Sequence, residues 1–297
     1  MSENIVIENE FTSVTLSPEA GASLSSILVK KNGACFELLA GVNNLQDSND
    51  IPDGSGSFIM APWVNRIRDG RLVAPDGIHN LPISDPPHAI HGLVRQRPWT
   101  VDNITDTSAQ LEIELAEPWP YKGRVEYAPS LVGRSFVQTM RLIAAPEETR
   151  PFPSGLGWHP WFKRTLGSSE MYIQTNVVSE WDLDSTMTAH GTRHDSATAQ
   201  RLRHGTQFKT NEIDGCFLAA PGCKAVLTWP ELTLTITGSK TLTHLMLYSP
   251  EHAICVEPQT STIDAVQLEG RGITGTGHAL VNQTNPLIAT TTWSWDE

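Results

Sequence analysis

Between residues 109 and 115 apolar and polar side chains alternate without a break: Ala109, Leu111, Ile113 and Leu115 against Gln110, Glu112 and Glu114. Successive side chains of an extended chain point to opposite faces, so a period of two marks a strand with one buried side. Leu232, Leu234 and Ile236 alternate with Thr233, Thr235 and Thr237 in the same way. Threonine suits the open face there, because its β-branch fits a pleated surface. Apolar or β-rich runs at 4–7, 24–29, 136–143, 243–248, 253–257 and 288–295 predict further strands. Asn32-Gly33, Asp76-Gly77 and Pro221-Gly222 supply turn signals between them. Helical periodicity is weak, and only 196–204 reads as a short helix. The 22 Gly and 20 Pro are scattered, so no linker divides the chain. The pattern predicts an all-β protein, one large antiparallel sandwich over residues 1–297, with long loops carrying the function.

Composition removes several function classes. A formal charge of −12 disfavours nucleic acid and anionic membranes as partners, since both attract basic faces. The start, MSENIVIENEF, lacks a basic stretch followed by an apolar one, so no secretory signal is expected. No run of some 18 apolar residues offers a membrane span. Cys35, Cys216, Cys223 and Cys255 show no CxxC pairing and read as free thiols, with a cytoplasmic location expected.

Some motifs are better explained by structure than by chemistry. Gly270, Gly272 and Gly275 satisfy GxGxxG, yet no strand–helix–strand unit surrounds them, and a loop accounts for them. His88 with His91, or His190 with His194, has a metal-like spacing but neither a helix nor a nearby acidic partner, so no metal site is expected. No GxSxG elbow or phosphate-binding loop occurs.

Five stretches remain in which polar residues sit inside apolar, Pro- or Gly-punctuated sequence: PWVNRIRDG (62–70), HAIHGLVRQRPW (88–99), GLGWHPWF (155–162), IDGCF (213–217) and ICVEPQT (254–260). In ICVEP, Ile254 and Val256 face one side of a strand and Cys255 and Glu257 the other, with Pro258 expected to end the ladder. Glu257 is then either a solvated strand-end charge or a buried functional one. His159, framed by Trp158, Pro160 and Trp161, is either a satisfied core histidine or a proton donor in a dry cleft. Arg66 reads as a surface charge or a ligand, Asp214 as a turn residue or a ligand, and His91 as a loop histidine or part of a site.

Taken in order, NRIxxG, HGxxRxxxW, Gly-x-x-His-Pro-aromatic-Phe, Asp-Gly-Cys-Phe and Glu-Pro-x-Thr, the chain resembles the aldose 1-epimerase (galactose mutarotase-like) family. That resemblance implies a single β-supersandwich with an open sugar cleft, and interconversion of α and β anomers without cofactor or metal. On its motifs, His159 is the general acid toward the ring oxygen and Glu257 the general base toward the anomeric hydroxyl. His91 assists near the ring oxygen, Arg66 and Asp214 hold sugar hydroxyls, and Asn65 lies beside them. A small-molecule sugar is the expected partner, and a monomer or homodimer the expected assembly.

Trp158 stands where long-form galactose enzymes have Asn, and NPLIATTTW replaces a C-terminal Leu-x-Pro-Gly stretch. The aldose is therefore open, and an acidic or phosphorylated sugar held by Arg68, Arg71 or Arg95 is an alternative. A non-catalytic carbohydrate-binding protein would use aromatic faces without needing His159 and Glu257 together. A glycosidase would take Asp214 and Glu257 as its two carboxylates and leave the histidines idle.

Overall fold

The computed structural model describes residues 4–41 and 54–297. Among these residues, eleven strands form one antiparallel sheet and eight form a second. Ser108–Glu114 buries Ala109, Leu111 and Ile113, as the alternation predicts, and Thr233–Gly238 buries Leu234 and Ile236. The inner faces of both sheets meet in one buried cluster. Val14, Ile27, Leu247, Ile254 and Val256 come from the first sheet, and Leu111, Phe136, Met140, Ile236 and Trp293 from the second. This single core between two sheets is the β-sandwich the chain pattern predicts. No helix among the described residues is long and apolar enough to cross a membrane.

The turn signals fall where strands reverse. Asn32 and Gly33, both at positive φ, join Ser23–Lys31 to Ala34–Glu37. The helix Ala197–His204 opens on Ser196, whose side chain accepts from the Ala199 N–H and satisfies one of the free donors of the first turn. A second short helix, Ala265–Gly270, is not apparent in the periodicity. Gly272 and Gly275 follow it at positive φ as loop positions.

Two expectations are corrected. The strand carrying Glu257 does not end there: it runs Ala253–Gln259, with Pro258 opposite Leu245 and Gln259 opposite His244. Proline removes one donor from the ladder, and the neighbouring pairs hold the strand together across it. The candidate residues do not sit on long loops alone: Gly157–Phe162 of GLGWHPWF belong to a central strand, Gly157–Lys163, nearly every residue of which is buried. Burial on both faces erases the alternation that would have marked it.

Candidate active site

The site grows out of strand register. Gly157–Lys163 pairs Gly157 with Gln259 and Trp161 with Cys255, so His159 stands level with Glu257 on the adjacent strand. On its other side His159 pairs with Phe58, and Glu257 in turn pairs with Met246. Residues opposite one another in an antiparallel sheet share a face, so Phe58, His159, Glu257 and Met246 form one row across four strands. Two residues along, Trp161, Cys255, Tyr248 and Asp214 form the next row. These rows lie on the face turned away from the central core. Trp158, Ile254 and Val256 point the other way, into it.

Loops roof the rows. A cleft of about 310 Å³ is lined by all six predicted residues, Asn65, Arg66, His91, His159, Asp214 and Glu257. Phe58, Trp161, Met246, Tyr248, Asp85 and Arg95 also line it, and of these the motifs pointed only to Trp161, as a flank of His159, and to Arg95. Phe58, Met246 and Tyr248 carry no local signal, because register across other strands is what brings them here. Arg68 and Arg71 do not line the cleft: Arg68 is held by Asp184 at 2.6 Å and by Asp264, and Arg71 is exposed.

At the floor, His159 Nε2 lies 3.3 Å from Glu257 Oε1, and both side chains are almost fully buried. The His159 ring stacks on Trp161, with centroids 5.0 Å apart and planes 15° apart, and leans on Phe58 at 4.5 Å. Of its two flanking tryptophans, Trp161 stacks on the ring, whereas Trp158 belongs to the central core. Gln259 Nε2 donates to Glu257 Oε2 at 3.0 Å. Burial, reinforced by the Asp214 charge, pushes the Glu257 carboxyl well above its usual range. Asp214 opens the strand Asp214–Ala219 opposite Tyr248, rather than sitting in a turn. Its side chain is exposed toward the cleft, yet the protein packed behind it raises its pKa, against the pull of Arg66.

His91 meets His159 edge-on, with ring centroids 5.2 Å apart. Burial and the positive groups His159, Arg95 and Arg66 depress its pKa strongly, so it stands in the cleft as neutral imidazole. Its backbone is at positive φ and donates to the Asn65 carbonyl at 2.9 Å. Gly92 must be glycine: at φ +75° its missing Cβ would fall 1.9 Å from the Ala61 carbonyl oxygen. Buried Asn65 accepts from the Arg66 N–H through Oδ1 at 2.8 Å, so it shapes the backbone leading into Arg66, to which His91 is bonded. Arg66 is oriented by Asp85, Nε to Oδ2 at 2.8 Å.

The other histidine spacings resolve as structure. His88 is buried, accepts from the Asp69 N–H and meets the Thr186 carbonyl, so both ring nitrogens are occupied. His194 pairs with Asp182 on the surface. The metal-like grouping among the described residues lies elsewhere, at His159, Cys255 and Glu257. The four cysteines are free thiols, Cys35 exposed and the others buried.

A model of the aldose 1-epimerase family matches residues 3–278. The chain belongs to the aldose 1-epimerase family. The uncharacterized protein YihR of Escherichia coli (strain K12) is 24% identical over 228 residues, 71% of this chain and 74% of that protein. Among solved structures, a galactose mutarotase-like protein from Clostridium acetobutylicum superposes with a TM-score of 0.86 at 17% identity, over 99% of this chain and 95% of that one. A GalM/aldose epimerase homologue from C. elegans gives 0.84 at 16% identity, over 100% and 99%. These likenesses establish that the sandwich is the galactose mutarotase-like fold of the family.

Proposed function

We propose that the protein is a cofactor-independent aldose 1-epimerase in which Glu257 and His159 open and reclose a sugar ring. One observation carries the reading: a histidine nitrogen and a carboxylate oxygen 3.3 Å apart on the floor of an open cleft. In a cyclic hemiacetal the two oxygens that exchange protons, the anomeric hydroxyl and the ring oxygen, hang on the same carbon. Their acid and base must therefore be neighbours, and a contact pair fits that need. In the productive state the proton is on His159 and absent from Glu257. Glu257 accepts the hydroxyl proton, His159 donates to the ring oxygen, and the C1–ring-oxygen bond breaks. The aldehyde turns about C1–C2 and recloses on its other face with the two roles exchanged. Neutral His91 is suited to a hydrogen bond near the ring oxygen. Arg66, steered by Asp85, and Asp214 face the hydroxyls.

A second reading concerns the substrate. The Arg95 guanidinium carbon lies 5.0 Å over the Phe58 ring, on the side of the cleft nearest His159, which favours an aldose bearing an anionic group. Proton NMR of anomer exchange tests both readings, with neutral hexoses, hexose 6-phosphates and hexuronic acids equilibrated in turn. Faster exchange of any of them supports the epimerase, and the preferred one identifies the class. Binding of a sugar without acceleration of any anomer exchange would instead make this a carbohydrate-binding protein. Cleavage of a disaccharide would make it a glycosidase. Activity is expected to survive exhaustive chelation.

A further inference from the structure

Buried beside the cleft floor lies a third side chain that the proton chemistry does not use. Cys255 lies two residues from Glu257 on the same strand, and so on the same face, between Trp161 and Tyr248 of the neighbouring strands. Its sulfur, a ring nitrogen of His159 and a carboxylate oxygen of Glu257 all lie within 4.8 Å of one another. The 3.3 Å between His159 Nε2 and Glu257 Oε1 matches the edge of a tetrahedron around zinc. With metal–ligand bonds of about 2.0–2.1 Å, that edge is about 3.3–3.4 Å. Thiolate, imidazole and carboxylate together suit borderline cations such as Zn²⁺ and Co²⁺. Three protein donors with a fourth side open to a cleft is a layout in which such a cation keeps an exchangeable position.

We propose that His159, Cys255 and Glu257 form a capture site for a zinc-like divalent cation, and that its occupation reversibly shuts the enzyme off. The metal takes the lone pairs that the proton transfers need, so one binding event removes acid and base together. A dication favours the anionic form of both the thiol and the carboxyl that would hold it. On capture the metal–sulfur bond forms as the S–H bond breaks, the metal displaces the proton carried by the His159–Glu257 pair as it binds the ring nitrogen and the carboxylate, and both protons leave to solvent. The loss of activity rests on the proposed mechanism, whereas binding of the metal does not.

The test is a cobalt(II) titration of the Cys35→Ser protein, which lacks the exposed thiol. A near-ultraviolet thiolate-to-cobalt charge-transfer band is expected, saturating at one cobalt per chain and bleached by zinc. Anomer exchange should fall in parallel and return on adding EDTA. Cys255→Ser in the same background should abolish the band and weaken zinc binding by at least about tenfold, the factor that corresponds to 1.4 kcal/mol. Glu257→Gln, which keeps the thiol, should weaken zinc binding in the same way and guards against misfolding of the cysteine variant. Absence of the band, or zinc affinity unchanged in either variant, overturns the proposal. A protein that shows the band but accelerates no anomer exchange keeps the metal site and sinks the epimerase reading. One that exchanges anomers without the band does the reverse.

Discussion

The floor of the cleft and the outer face of the eight-stranded sheet are built by the same device, a row of side chains lined up across antiparallel strands. On the outer face Glu112, Glu126 and Arg141 stand opposite one another in register. Arg124 Nη2 reaches Glu126 Oε1 at 2.7 Å, and Arg141 Nη1 reaches Oε2 at 3.3 Å. In the cleft the corresponding row is Phe58, His159, Glu257 and Met246. Both rows put a carboxylate against a cationic or basic partner. The difference is water. Outside, partly exposed charges are solvated, and such pairs are worth roughly 0–1 kcal/mol. Inside, both Glu257 and His159 are buried, His159 against the Phe58 and Trp161 rings, so the cost of charge appears as a carboxyl displaced far from its ordinary titration. Register makes a pair, and burial shifts its titration.

The largest test of that contrast is chemical. Glu257→Gln keeps the shape of the row but cannot take a proton, so kcat for anomer exchange should fall by about 10²–10⁴, the usual worth of a general base. His159→Asn should lose a comparable factor, and the double variant little more than either, because acid and base act as a unit. Near wild-type turnover by a normally melting Glu257→Gln protein would remove Glu257 as the base.

The same buried carboxyl should reveal itself through pH. A base must be unprotonated, so kcat/KM should rise with pH through the raised Glu257 pKa, placing the acid limb above the roughly 4.3 of an ordinary glutamate. Stability should run the opposite way. A carboxyl whose folded pKa is raised binds more protons in the folded state, so its contribution weakens as pH climbs above the unfolded value. Thermal melts should therefore show Glu257→Gln at least as stable as wild type at pH 7, with the gap closing toward pH 4. A variant markedly less stable at pH 7 would mean that the native carboxylate is a net stabiliser.

Smaller effects sharpen the comparison. Ile254→Ala, on the core side of the strand that carries Cys255 and Glu257, should cost about 2–5 kcal/mol in denaturant melts, the usual price of a buried large-to-alanine change. Asp214→Ala should spare the fold and weaken sugar binding by about 1.5–3 kcal/mol, the worth of one charge-assisted hydrogen bond. Unchanged KM for every accepted sugar would exclude Asp214 from binding. Least of all, Glu126→Gln in the outer row should shift stability by no more than about 0.5 kcal/mol and leave anomer exchange untouched. A large loss there would mean that register alone, without burial, creates strong coupling.

The sequence by itself determined the sandwich and most of the candidate site. Period-two runs such as 109–115 mark strands because one face must be dry and the other wet, and that demand is written locally. The residue types of the motifs pointed to His159, Glu257, His91, Arg66, Asp214 and Asn65, and all six line one cleft. Tertiary structure alone decided which side chains meet. Strand 157–163 was hidden because burial on both faces removes the alternation. The step from Glu257 to Met246, or from Asp214 to Tyr248, depends on pairing between distant segments that no local pattern encodes. Arg68 and Arg95 look alike in sequence, yet Arg95 lines the cleft and Arg68 does not. Titration followed the same rule: Glu257 departs from an ordinary glutamate because of the water it has lost and the charge of Asp214 beside it, and both arise only when the strands assemble.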